Sequence, residues 1–121
     1  MRETSLLLVV ALLAPSLVRA APALTPALLA KGKAAYATTC ALCHGDDGDG
    51  MGPAGKYMDP KPQDFSKGGF KKGDKLEQIF TTISDGLPGT AMTGYKYLPE
   101  GDRWAIAHYV QSFKKKAPTK K

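Results

Sequence analysis

Apolar residues between positions 74 and 86 recur as Leu76, Ile79, Phe80 and Ile83, the i, i+3, i+4, i+7 spacing of an amphipathic helix. Asp74 followed by Glu77 resembles a capping box with Asp in place of Ser or Thr, and Asp85-Gly86 supplies a stop. A last helix is predicted from Glu100 or Asp102 to Phe113, with Ile106, Tyr109, Val110 and Phe113 on its buried face. Trp104 and His108 fall on its other side, which predicts them partly exposed or covered by a loop. An earlier helix starts at Thr25-Pro26, where Thr25 can cap and the missing N–H of Pro26 is harmless, and runs to about Thr39. Leu28, Gly32 and Tyr36 recur along it every four residues and share a face. Gly32 is costly inside a helix, and a close approach by another backbone explains it. Residues 45–73 are rich in Gly, Pro, Asp and Lys and read as long loops wrapped around something. No strand-like alternation and no internal repeat is evident, so the predicted fold class is all-α.

The amino terminus has a different composition. Arg2 precedes an apolar stretch from Leu6 to Leu13, and Val18-Arg19-Ala20 ends in the small residue that a secretory cleavage site requires. Pro15 and Arg19 bound an apolar run well short of the roughly 20 residues needed to span a bilayer. Residues 1–20 are therefore expected to be a signal peptide, with cleavage after Ala23 as the alternative, and the mature chain is expected to be soluble, without an anchor, and periplasmic. What remains is one small domain, residues 21–113, and a basic tail, residues 114–121.

Charge follows the same division. The formal charge of the chain is +6, yet five lysines lie in the last eight residues, and residues 21–113 carry 10 basic and 10 acidic groups. The body is formally neutral. Lys67, Lys71, Lys72 and Lys75 form a local basic cluster, set against Asp46, Asp47 and Asp49. Read plainly, these are solvated charges, and nothing in them points to nucleic acid.

The chemistry is carried by Cys40-Ala-Leu-Cys43-His44, which holds both cysteines of the chain in the C-x-x-C-H form of a c-type haem attachment site. Two thiols three positions apart can form thioethers with a haem, and the adjacent imidazole can ligate its iron. A dithiol redox pair is a weaker reading, and a zinc site lacks its remaining Cys or His ligands. A covalent haem c would form part of the core of so small a domain, and the apoprotein is expected to fold poorly.

A haem used only for electron transfer needs a sixth ligand that resists displacement. Outside the leader the candidates are Met51, Met58, Met92 and His108. Met92 is best positioned, in the turn-rich segment Gly86-Leu87-Pro88-Gly89-Thr90-Ala91-Met92 between two helices. Met51 follows His44 too closely, Met58 has reach without a positioning motif, and His108 lies on a helix. A His/Met pair raises the reduction potential relative to bis-His ligation.

With these motifs in this order, the chain resembles the class I c-type cytochromes over essentially all of residues 21–113. The resemblance rests on Cys40 to His44 after a helix, Gly50-Met51-Gly52-Pro53, Gly86 to Met92, and Trp104 to Val110. It implies a small cytochrome c fold, with crossing N- and C-terminal helices and with loops and a middle helix wrapped around one haem. It also implies that the Pro53 carbonyl accepts the Nδ1–H of His44, and that Gly32 and Tyr36 meet Ile106 and Tyr109 where the helices cross. Lys61 to Ser66 and Asp102 to Ile106 are more similar to bacterial cytochromes found within or beside respiratory complexes. The function implied is one-electron transfer between redox partner proteins by a monomeric carrier that is not itself an enzyme. The alternative is a haem peroxidase or ligand-sensing cytochrome with a displaceable sixth ligand.

Overall fold

The computed structural model of the chain describes residues 20–116, so nearly all of the predicted leader and the end of the basic tail lie outside the described residues. Within them all regular structure is helical: α1 (Pro26–Thr39), α2 (Ala41–His44), short 3₁₀ turns at Gly55–Tyr57 and Phe65–Lys67, α3 (Leu76–Asp85) and α4 (Glu100–Lys116). α4 packs against both α1 and α3. No helix among the described residues is long and apolar enough to cross a membrane.

α1 begins as its sequence predicts, with Thr25 Oγ1 accepting the N–H of Leu28 at 3.1 Å. Its crossing with α4 is set by Gly32. A Cβ on Gly32 would overlap the carbonyl oxygen of Ala105 and stand 2.6 Å from its carbon and 3.1 Å from Tyr109 Cβ. The contact therefore falls on Ala105 and Tyr109, one residue away from the expected Ile106, which is fully buried beside it. Below the crossing, the Tyr36 ring meets Tyr109 and Phe113 with centroids 5.1 and 5.5 Å apart. The Tyr36 hydroxyl donates to the Gly45 carbonyl at 2.6 Å, tying α1 to the residue after His44. Burial holds this phenol well above its usual range, so it stays a donor.

α4 is buried all round from Trp104 to Val110, and that departs from the one-sided face its periodicity predicts. The cause is that it has partners on several sides. Trp104 is covered by Phe80 of α3, stacked at 3.8 Å between centroids. His108 is covered by a loop, as its place on the helix predicts: its Nε2 meets the carbonyl of Pro22, in the segment preceding α1, at 2.8 Å.

Two other boundaries move. α3 opens at Lys75, whose N–H is accepted by Gln78 Oε1 at 3.1 Å, so a one-sided cap lies one residue after the predicted Asp74/Glu77 pair. Asp74 is instead paired with Lys114, because α4 continues past Phe113 to Lys116. Lys114 thus belongs to the folded domain and not to the tail.

These contacts yield two stability tests. Gly32→Ala should lower the thermal midpoint by roughly 5 °C or more, because overpacking against a backbone costs about 1–3 kcal/mol. Gly101→Ala, where a Cβ would meet nothing nearer than Lys31 Nζ at 3.6 Å, should be neutral or stabilise by up to ~1 kcal/mol. Equal losses in both variants would remove the close crossing as the cause. Tyr36→Phe should cost about 1 kcal/mol in denaturant titration, the net value of one internal hydrogen bond.

Candidate haem-attachment site

The attachment pentapeptide is one tight helical turn. Cys40 closes α1 by donating its N–H to the Tyr36 carbonyl at 2.8 Å, and its own carbonyl accepts from Cys43 at 3.2 Å and from His44 at 2.9 Å. Positions three and four apart share a helix face, so Cys40, Cys43 and His44 point into the same cavity. Ala41 turns inward to the core, and Leu42 turns out to solvent.

That cavity is predominantly apolar. Ile79 and Ile83 of α3 line one part, Pro60, Pro62, Phe65 and Phe70 of the long loop another, and Leu87, Met92 and Tyr95 a third. Lys61, Lys71 and Lys72, all exposed, supply its cationic edge. The loops that sequence alone shows as wrapped around something are therefore walls of this cavity.

Burial acts on the donors themselves. It pushes the Cys40 thiol up to about 12, with the neighbouring Cys43 adding to the shift. It lowers the pKa of His44, against a smaller opposing effect of the Gln63 carbonyl, so the imidazole is neutral and has a lone pair to give. The His44 ring also stacks on Phe65 at 4.5 Å, and Phe65 in turn meets Tyr36 at 6.5 Å. An aromatic chain thus runs from the helix crossing to the imidazole.

The carbonyl that faces the imidazole belongs to Gln63. His44 Nδ1 faces the Gln63 carbonyl at 3.5 Å, whereas Pro53 is exposed and lies outside the cavity lining. The reason is the path of the loop: Gly52 and Ala54 donate to the carbonyls of Cys43 and Leu42, which holds Pro53 against the outer side of the attachment turn. Pro62-Gln63 returns to the ring instead. Nothing in local sequence marks a backbone carbonyl 19 positions away as its acceptor.

Of the four sixth-ligand candidates, the structure brings two to the cavity. Met92 and Met58 both line it. Met51 is 49% exposed and outside the lining, and His108 is occupied at Pro22. The donor set fits haem c: two unpaired thiols and a neutral imidazole on one face of a turn, an apolar cavity, and thioethers supplied from other elements.

The comparisons agree with this chemistry. The chain is 34% identical over 84 residues to a thiosulfate dehydrogenase of Stutzerimonas stutzeri, a match that covers 69% of this chain and 27% of that protein. It is 31% identical to a chain of the reducing HAO-like protein complex of Kuenenia stuttgartiensis, with a TM-score of 0.71, covering 78% of this chain and 47% of that one. The chain thus spans about a quarter of the first protein and half of the second. A family model for cytochrome c matches residues 29–114, which hold the attachment turn, the cavity and both candidate methionines. The chain therefore belongs to the cytochrome c family, proteins of haem-based electron transfer.

Proposed function

We propose that this protein is an exported one-electron carrier, with a haem c joined to Cys40 and Cys43 and ligated by His44 and Met92. The observation that carries this reading is the convergence of the attachment turn and the Met92 loop on one apolar cavity. Haem c supplies a ferric/ferrous couple when bound. The chain's own part is to hold, orient and dry it. His44 keeps its Nδ1 proton toward Gln63, leaving Nε2 as the iron donor. The apolar walls exclude water, and the soft thioether of Met92 favours the reduced state.

Met92 is preferred over Met58 because its loop is braced. The Thr90 hydroxyl donates to the Leu87 carbonyl at 2.7 Å and accepts from the Met92 N–H at 3.1 Å. Met58 follows a single 3₁₀ turn, in which its N–H is held by Gly55 at 3.0 Å. The proposed partners are redox proteins of an energy-conserving assembly, in keeping with similarity to a dehydrogenase and to a chain of a multi-protein complex. Export rests on the leader pattern of residues 1–20. Cleavage after Ala20 keeps the Pro22 contact of His108, and cleavage after Ala23 removes it.

Absorption of the purified holoprotein tests the ligation. The long-wavelength ferric band of an iron–thioether bond should vanish in Met92→Ala and persist in Met58→Ala, with the midpoint potential of the former falling by on the order of 0.1 V. The reverse pattern would transfer the role to Met58. Fast CO binding by the wild-type ferrous protein would favour a ligand-activating or sensing cytochrome instead. Intact mass of the exported protein should correspond to Ala21 as the first residue plus one haem, and a mass starting at Leu24 would refute that processing site.

A further inference from the structure

Met92 sits in a loop whose two ends almost touch. It leaves α3 at Gly86 and returns at Gly94. A Cβ on Gly86, where φ is +72°, would lie 2.6 Å from the Met92 carbonyl oxygen and 2.7 Å from Gly94 N, and one on Gly94 would lie 2.5 Å from the Ser84 carbonyl oxygen. The neck is closed by Leu87 N–H donating to Met92 O at 2.9 Å and by Tyr95 N–H donating to Ile83 O at 2.8 Å. Where the thioether points therefore depends on how the two legs of this neck are held.

Arg103 of α4 reaches both legs. Its Nη1 donates to Ser84 Oγ at 2.5 Å, on the outgoing side, and its Nε donates to the Leu98 carbonyl at 3.2 Å, on the returning side. Ser84 is buried, and its hydroxyl is turned to accept because it donates in turn to the Phe80 carbonyl at 2.8 Å. The guanidinium carbon lies 5.0 Å from the centre of the Phe80 ring, which is itself fixed by stacking on Trp104. A planar fork with donors in two directions suits this bridge, and a lysine ammonium on a flexible stem does not.

We propose that Arg103 is a positioning residue for Met92, holding the neck of its loop closed so that the thioether stays on the iron. The inference rests on Met92 being the ligand. Imidazole, which competes for that coordination position, is the probe, titrated into the ferric holoprotein and followed by absorption. Arg103→Gln should bind imidazole about tenfold more tightly than wild type, equivalent to ~1.4 kcal/mol of lost loop closure. Arg103→Lys should fall between the two, and Ser84→Ala, which removes one leg only, should gain about threefold. Met92→Ala sets the upper limit. Thr25→Ala, which removes the N-cap of α1 away from the Met92 loop and the imidazole, should lower the thermal midpoint without changing imidazole affinity.

Wild-type affinity in Arg103→Gln, or an equal gain in Thr25→Ala, would overturn the positioning role. If Arg103→Gln yields no holoprotein, Ser84→Ala decides, and the absence of any gain there overturns the proposal. An unchanged affinity in Met92→Ala would instead show that Met92 is not the ligand, a failure of the underlying reading and not of the clamp alone.

Discussion

The close approach of α1 to α4 at Gly32 is the constraint on which the rest of the molecule depends. Without a side chain there, the α1 backbone settles against the Ala105 carbonyl, and the two helices come near enough for Tyr36 to reach Tyr109, Phe113 and Phe65. Tyr36 then holds Gly45, and Phe65 stacks on His44. The position of the imidazole is thus inherited, through aromatic contacts, from a helix crossing. A domain this small has few apolar residues to spare, so one cluster serves both the core and the placement of the imidazole.

The cavity opposite that cluster is bounded largely by loops, and their stiffness comes from backbone hydrogen bonds. Residues 48–65 are pinned by Phe65 N–H to Gly48 O at 2.7 Å and by Gly52 and Ala54 to the attachment turn. Asp64 adds a local brace, accepting from both the N–H and the hydroxyl of Ser66, which holds its carboxyl below the usual range. Irregular chain becomes a wall when its polar groups are satisfied this way, leaving mainly apolar side chains to face inward.

Much of this was legible in the residues, for identifiable reasons. Cys40, Cys43 and His44 share a face because three and four positions make one helical turn, and Gly32 was conspicuous because glycine is costly inside a helix. The position of Met92 at the cavity follows from its turn-rich surroundings. What could not be read were contacts whose acceptors are backbone carbonyls or whose partners lie on distant elements. The Gln63 carbonyl near His44 depends on the path of a glycine-rich loop, where φ and ψ are weakly constrained by residue type. The burial of Trp104 depends on Phe80 of another helix, which hydrophobic periodicity within one helix does not sense. Lys114 looked like tail because charge runs give no sign of a partner such as Asp74, 40 positions away.

The pairing of Gly32 with Ala105 also has a kinetic side. It joins segments 73 positions apart, so nearly the whole domain is the loop that must close before the contact forms. The entropic cost of that closure rises only with the logarithm of loop length, but it must be met before non-local contacts repay it, which slows folding relative to a bundle of sequential helices. Every cavity-lining residue except Val110 lies inside the closed loop. Loss of the α1–α4 crossing therefore opens the cavity as a unit, and the packing of the first helix on the last governs how long its walls stay assembled.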